Sequence, residues 1–260
     1  MNTEKNIVMG SLEAQKLTHS ESVFLKEKEP AGIVLFSRNI DSSCHSPKDL
    51  IKTVQKYCSR YPMIISIDQE GGRVSRIKHD FPDLGPSLFL AQGKSKDHNL
   101  EAIYTYAESV GSALKTRGIH LNFAPVVDVL SKTSDNSIGD RCFAYTSEDV
   151  ILRAGAYIKG LQKSGVYGCL KHFPGQGQAQ VDTHKKTAEI STTLADLEKV
   201  DIQPFVALLK HADFVMISHC RFTKICTFEA SRSYKWITEI LRQKMGFKGK
   251  TEWIGQRLRF

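Results

Sequence analysis

Three features of this sequence predict an α/β fold, a parallel (β/α) barrel of the TIM type. β-rich and helix-like segments alternate from end to end, which implies a parallel sheet. No Gly-rich loop follows the first strand candidate, which disfavours a doubly wound dinucleotide-binding sheet. Polar residues follow several different strand candidates, as a barrel requires when its loops converge on one mouth.

Short apolar, β-branched runs mark strands at Ile33–Phe36, Met63–Ile67, Ile119–Val129, Val166–Phe173 and Phe214–Ser218, with a weaker candidate at Ile7–Met9. Between them, Ser46 N-caps a predicted helix opening on Pro47, with Leu50, Ile51, Val54, Tyr57 and Cys58 on one face. Leu100, Ile103, Ala107, Val110 and Leu114 trace a second helix. Ser147, followed by Glu148 and Asp149, opens a third that presents Ala154, Ile158 and Leu161 and stops near Gly165. Thr193-x-x-Asp196 opens a fourth, broken or restarted at Pro204. Ser233 opens a fifth with Trp236, Ile237, Ile240 and Leu241, ended by Gly246. No internal repeat or interdomain linker interrupts this order, so one domain is the simplest count.

With 260 residues the chain is long enough to bury a large core. No run approaches the ~18 apolar residues of a membrane span, and no signal peptide is visible ahead of Gly10. The six cysteines (Cys44, Cys58, Cys142, Cys169, Cys220 and Cys226) form no CxxC pair. They read as reduced thiols of a cytoplasmic protein. The net charge of +8 raises nucleic acid as a partner, but the basic residues are scattered and no aromatic-interleaved stripe or DNA-binding motif accompanies them. Neither a nucleic-acid nor a membrane partner is expected.

Chemistry concentrates at the strand ends. Met63–Ile67 runs into Asp68-Gln69-Glu70-Gly71-Gly72-Arg73, with Arg76 just beyond. Asp68 and Glu70 project to one side if the chain stays extended, and the double glycine would let backbone approach a ligand. A charged turn with internal salt bridges is the competing reading. Asn122 and Asp128 lie in the next strand candidate, ahead of Asp140-Arg141. Arg141 can fork onto a ligand's oxygens or pin its own loop to Asp140. Lys171-His172-Phe173-Pro174-Gly175-Gln176-Gly177, followed by Asp182-Thr183-His184, is the densest segment. Its Gly-x-Gly is not a dinucleotide fingerprint, because Gln180 stands in the third glycine's position. Metal binding lacks an HxH or HExxH spacing, and satisfied buried histidines are a bland alternative. Acid/base chemistry on a hydroxyl-rich ligand fits best, with Lys171 and His172 donating hydrogen bonds and the Asp182–His184 pair moving a proton.

The stretches GIVLFSRN (32–39), IDQEGGRVSR (67–76), NFAPVVDV (122–129), IGDRCF (138–143) and KHFPGQGQAQVDTHK (171–185) together resemble the family 3 glycoside hydrolases. Within that family they resemble the bacterial cytosolic β-N-acetylglucosaminidases of peptidoglycan recycling. The resemblance implies a (β/α)8 barrel, no metal or organic cofactor, and a cytoplasmic monomer. Its implied substrate is GlcNAc-1,6-anhydro-N-acetylmuramic acid, free or peptide-bearing. It also implies that Asp68, Arg76, Arg141, Lys171 and His172 grip the N-acetylglucosamine. His184, paired with Asp182, is the implied acid/base of a retaining reaction through a glycosyl-enzyme on an Asp nucleophile.

Two departures stand out. Gln176 occupies a position where the family usually has His, and cannot carry charge. The family's nucleophile lies in a strand ending Ser-Asp-Asp after a stretch like Gly246-Phe247-Lys248-Gly249. Here Lys250-Thr251-Glu252-Trp253-Ile254-Gly255 follows, and no aspartate occurs after Asp213. The expectation is a barrel over 1–249 lacking its last two β/α units, an unrelated frameshifted tail over 250–260, and no nucleophile in the chain. The alternative function is then a catalytically impaired, sugar-binding remnant.

Overall fold

The computed structural model describes residues 9–40, 46–57, 63–90, 96–131, 138–179 and 188–252. Seven parallel strands form one sheet in chain order: β1 (Met9–Ser11), β2 (Gly32–Leu35), β3 (Ile64–Ile67), β4 (Leu121–Asn122), β5 (Tyr167–Phe173), β6 (Phe214–Ile217) and β7 (Lys250–Glu252). Each strand pairs only with its sequence neighbours, as right-handed β–α–β crossovers dictate.

The strand pattern explains the curl. Val34, Leu121, Phe123, Cys169, Phe214 and Met216, from β2, β4–β6 and the residue after β4, converge on one buried cluster, with Met9 and Ile64 of β1 and β3 packed against it. Residues from across a sheet meet this way only when the sheet rolls inward. The alternate residues Ile33, Leu35, Ile65, Ile67, Leu170 and Val215 face a second, larger cluster shared with the helices. Both faces are covered, so these strands read as continuous apolar runs rather than as alternation. The architecture is the partial (β/α)8-type barrel the sequence predicts.

The helices bury the stripes their spacing defines. Lys96–Thr116 turns Ile103, Ala107, Val110 and Leu114 inward. Ser147–Ser164 buries Val150, Ala154, Tyr157, Ile158 and Leu161, and ends at Gly165 with φ 80°. Its N-cap is Thr146, not Ser147: the Thr146 hydroxyl accepts from the Asp149 N–H at 3.3 Å. Leu194–Lys199 and Gln203–Leu208 are separate helices, the second starting around Pro204. Lys235–Lys244 is wound as a π-helix burying Trp236, Ile240 and Leu241.

Three elements depart from the expectations. Of Ile119–Val129 only β4 is strand, because Pro125 has no N–H for the ladder; Val126 recovers a single bridge to Lys171. Helix His19–Lys28 was not anticipated: it buries only Glu21 and Leu25, too few to draw a stripe, and is started by a Thr18–Glu21 capping box. Residues 250–252, set apart from the barrel on sequence grounds, pair with β6 in register, Met216 opposite Glu252. Among the described residues Cys142, Cys169 and Cys220 are free and buried, and Cys226 is free and partly buried. No described helix is long and apolar enough to cross a membrane.

Candidate active site

The C-terminal ends of β3 and β5 carry the chemistry. Beyond Ile67 the chain reverses, with the Glu70 N–H donating to Val74 O at 2.9 Å. Gln69 anchors that turn. Its N–H donates to Asn122 Oδ1 at 3.0 Å, and its side-chain oxygen accepts the Arg76 and Ile77 N–H groups at 2.9 and 3.0 Å. The double glycine serves the turn rather than a ligand. A Cβ on Gly71 would lie 2.7 Å from Gly85 O, and one on Gly72 the same distance from Pro86 N.

Asp68 and Glu70 do share a side, and what they share is Lys171. Its Nζ lies 3.1 Å from Asp68 Oδ1 and also contacts Glu70 Oε1, on a side chain only 2% exposed. Arg76 Nη2 reaches Asp68 Oδ2 at 3.3 Å. Arg141, delivered by the short 3-10 turn Gly139–Arg141, forks onto Glu70 through Nε and Nη2, both at 2.8 Å. Asp140, its alternative partner, is taken by Arg73 Nε at 2.8 Å. Burial alone would raise both carboxyls. The Lys171 charge, joined by Arg76 at Asp68 and Arg141 at Glu70, outweighs it and holds them below the usual carboxylate range. Arg76 Nε is buried and has no hydrogen-bond partner among the described residues, which leaves a donor available beside Asp68.

His172 sits on the adjoining carboxylate. Its Nδ1 is 2.7 Å from Asp128 Oδ2, while Asp128 Oδ1 accepts the backbone N–H groups of His172 at 3.2 Å and Gln176 at 2.7 Å. Gln176 is buried and its side-chain oxygen accepts from the Ser218 hydroxyl at 3.0 Å, tying the loop after β5 to the end of β6. Gly177 lets that loop lie against the segment after β4, because a Cβ there would stand 1.7 Å from Val129 O. Farther along, Gln178 Nε2 donates to Asp201 Oδ2 at 2.8 Å. Burial pushes the Asp201 carboxyl up to about 6.

Of the residues singled out on sequence grounds, Asp68, Arg76, Arg141 and Lys171 form one ion network and His172 lies beside it on Asp128. Asp182 and His184 lie outside the described residues. Sequence reasoning did not assign Glu70 and Asp128. Each left a signal: Glu70 lies two residues after Asp68 on the same side, and Asp128 is a lone acid in an apolar run, where a buried carboxylate must find partners. Among the described residues no group of three or more His, Cys, Asp or Glu side chains is arranged to hold a metal.

The sequence pattern of the glycosyl hydrolase family 3 N terminal domain matches residues 3–251. A beta-hexosaminidase of Xanthomonas oryzae is 36% identical over 237 residues, 90% of this chain and 70% of that protein. One from Nitrosomonas eutropha is 35% identical over 238 residues, 90% and 67% of the two chains. Among solved structures, NagZ from Neisseria gonorrhoeae in complex with N-trifluoroacetyl-D-glucosamine superposes with a TM-score of 0.88 at 33% identity. That alignment covers 95% of this chain and 73% of NagZ. A glycoside hydrolase family 3 beta-N-acetylglucosaminidase from Paenibacillus gives 0.88 at 27% identity, over 96% of this chain and 48% of that one. A family match over residues 3–251, together with a relative 36% identical over 90% of the chain, places the chain in glycoside hydrolase family 3.

Proposed function

We propose that the chain binds a terminal non-reducing β-N-acetylglucosamine of peptidoglycan fragments and hydrolyses its glycosidic bond with retention of configuration. His184, oriented by Asp182, would be the acid/base. The observation that carries the reading is the buried Asp68–Lys171–Glu70–Arg141 network at the strand ends, with Arg76 Nε left as an unused donor. A neutral ligand rich in hydroxyls suits such a site: Asp68 accepts, Arg76 and Lys171 donate, and no net charge needs to be buried with the ligand. The named activity of the beta-hexosaminidase relatives and the glucosamine ligand of gonococcal NagZ support the same substrate class.

An imidazole paired with a carboxylate can protonate a leaving oxygen and then deprotonate water near neutral pH. The nucleophilic aspartate of the family has no counterpart after Asp213 in these 260 residues, so turnover is the decisive measurement. The purified chain is assayed on a chromogenic β-N-acetylglucosaminide, with GlcNAc binding followed in parallel by calorimetry. Turnover that disappears in His184→Ala supports the hydrolase. Binding of GlcNAc without turnover turns the assignment to a sugar-binding remnant, and absence of both defeats the sugar reading altogether.

A further inference from the structure

We infer that Asp128 is a positioning residue that holds the His172 ring protonated on Nδ1 and thereby makes Nε2 a hydrogen-bond acceptor for a hydroxyl of the bound sugar. The inference rests on the glycosidase reading above and adds to it the direction of one hydrogen bond.

The geometry leaves little choice of tautomer. Asp128 is fully buried at the end of the irregular segment after β4. Its Oδ1 is occupied by two backbone donors, the N–H groups of His172 and Gln176, and its Oδ2 stands 2.7 Å from His172 Nδ1. A carboxylate held by backbone donors acts as an acceptor, so the proton between Oδ2 and Nδ1 is carried by the ring. Nε2 has no hydrogen-bond partner among the described residues, and the side chain is 14% exposed, enough to meet a ligand. Burial pulls the His172 pKa down, and the charges of Arg141 and Lys171 add to it, outweighing the pull of Asp128. The ring is therefore neutral near pH 7, with one donor nitrogen committed to Asp128 and one lone pair facing outward.

This reverses the expectation that His172 donates. In the site as built, Lys171 and Arg76 donate and His172 accepts, so the ligand group that meets His172 must carry its own proton. A sugar hydroxyl does; a deoxy, fluoro or methoxy group at the same carbon does not.

Asp128→Asn separates this role from simple bracing of the loop. The amide oxygen can still accept the His172 and Gln176 N–H groups, but the amide N–H₂ now faces Nδ1 and forces the proton onto Nε2. The experiment is ring-nitrogen NMR on isotopically labelled histidine in wild type and Asp128→Asn, with His172→Gln identifying the resonance, together with GlcNAc titrations by calorimetry. The expected result is Nδ1–H for His172 in wild type and Nε2–H in Asp128→Asn. GlcNAc affinity should fall about tenfold in the variant, because the ring no longer accepts and the sugar hydroxyl must turn its own proton away from His172 to take one from Nε2. Nε2–H or a charged ring in wild type at pH 7 overturns the proposal. So does a folded Asp128→Asn that binds GlcNAc as wild type does. If Asp128→Asn does not fold, the wild-type spectrum and the loss of affinity for a GlcNAc series deoxygenated at each hydroxyl in turn decide. No hydroxyl whose removal matters less in His172→Gln than in wild type would sink it. A wild-type chain that binds no GlcNAc defeats the glycosidase reading and the sugar half of this one, while the spectrum alone settles the ring.

Discussion

The Arg141 guanidinium meets both carboxylate oxygens of Glu70 at 2.8 Å, with both side chains almost completely withdrawn from solvent. The pair joins the turn after β3 to the segment after β4, and Lys171 of β5 joins it through Glu70. Three separate strand ends are thus held by one buried charge cluster. A cluster of this kind does not by itself raise stability, but breaking it exposes an uncompensated charge to the interior.

Glu70→Gln should therefore destabilise the fold by roughly 3–5 kcal/mol, because Arg141 loses its only carboxylate partner among the described residues and Lys171 keeps only Asp68. Urea unfolding at neutral pH checks this. Arg141→Lys should weaken the same contact, since an ammonium cannot engage both oxygens at once.

Asp68 and Glu70 titrate below their unfolded values. The stability they contribute is present above the unfolded carboxylate range, at about pH 4, and is lost as pH falls through their lower folded values. Unfolding free energy should decline as pH drops from about 4 to about 2. In Lys171→Met, where that ammonium no longer opposes burial and only Arg76 and Arg141 remain to do so, the decline on acidification should shrink. An unchanged acid limb in Lys171→Met would refute the coupling.

Asp201 has the opposite sign. Its folded value is raised to about 6 by burial, so its protonated form is favoured in the fold. Its stabilising contribution is complete below the unfolded value and disappears as pH rises through 6. Wild type should gain on the order of 2–3 kcal/mol between pH 7 and pH 4 from this group. Asp201→Asn, which can still accept from Gln178 Nε2, should be more stable than wild type at pH 7 and lack that increment. Urea midpoints at both pH values give the answer.

Gly177→Ala places a methyl group 1.7 Å from Val129 O. Backbone cannot yield as a side-chain tip would, so the loop after β5 must lift. The substitution should cost about 1–3 kcal/mol and lower activity on a chromogenic β-N-acetylglucosaminide more than it lowers the melting temperature. Wild-type turnover in this variant would separate loop seating from catalysis.

Much of the fold was legible because helices and strands here follow local periodicity. Ile103, Ala107, Val110 and Leu114 lie on one helical face in any context, whereas only the folded sheet shows that Val34 faces inward while Ile33 and Leu35 face the helices. The helix His19–Lys28 was missed because it presents only two buried residues, and Ile119–Val129 was over-read because apolar content hid the missing N–H of Pro125. The family, too, was readable, since five motifs in order survive without any knowledge of their geometry.

By itself, then, the sequence determined the class of fold, the order of its elements and the side chains available for chemistry. Only the tertiary structure decided their partners. Lys171 meets Asp68 across 103 positions, Arg141 chooses Glu70 across 71 rather than its neighbour Asp140, and His172 is given to Asp128 across 44. Those pairings depend on how far the sheet curls and where each strand ends against the next. Backbone propensities act over a few residues; a buried charge selects its partner by distance in the folded interior, where desolvation makes any unpaired group costly.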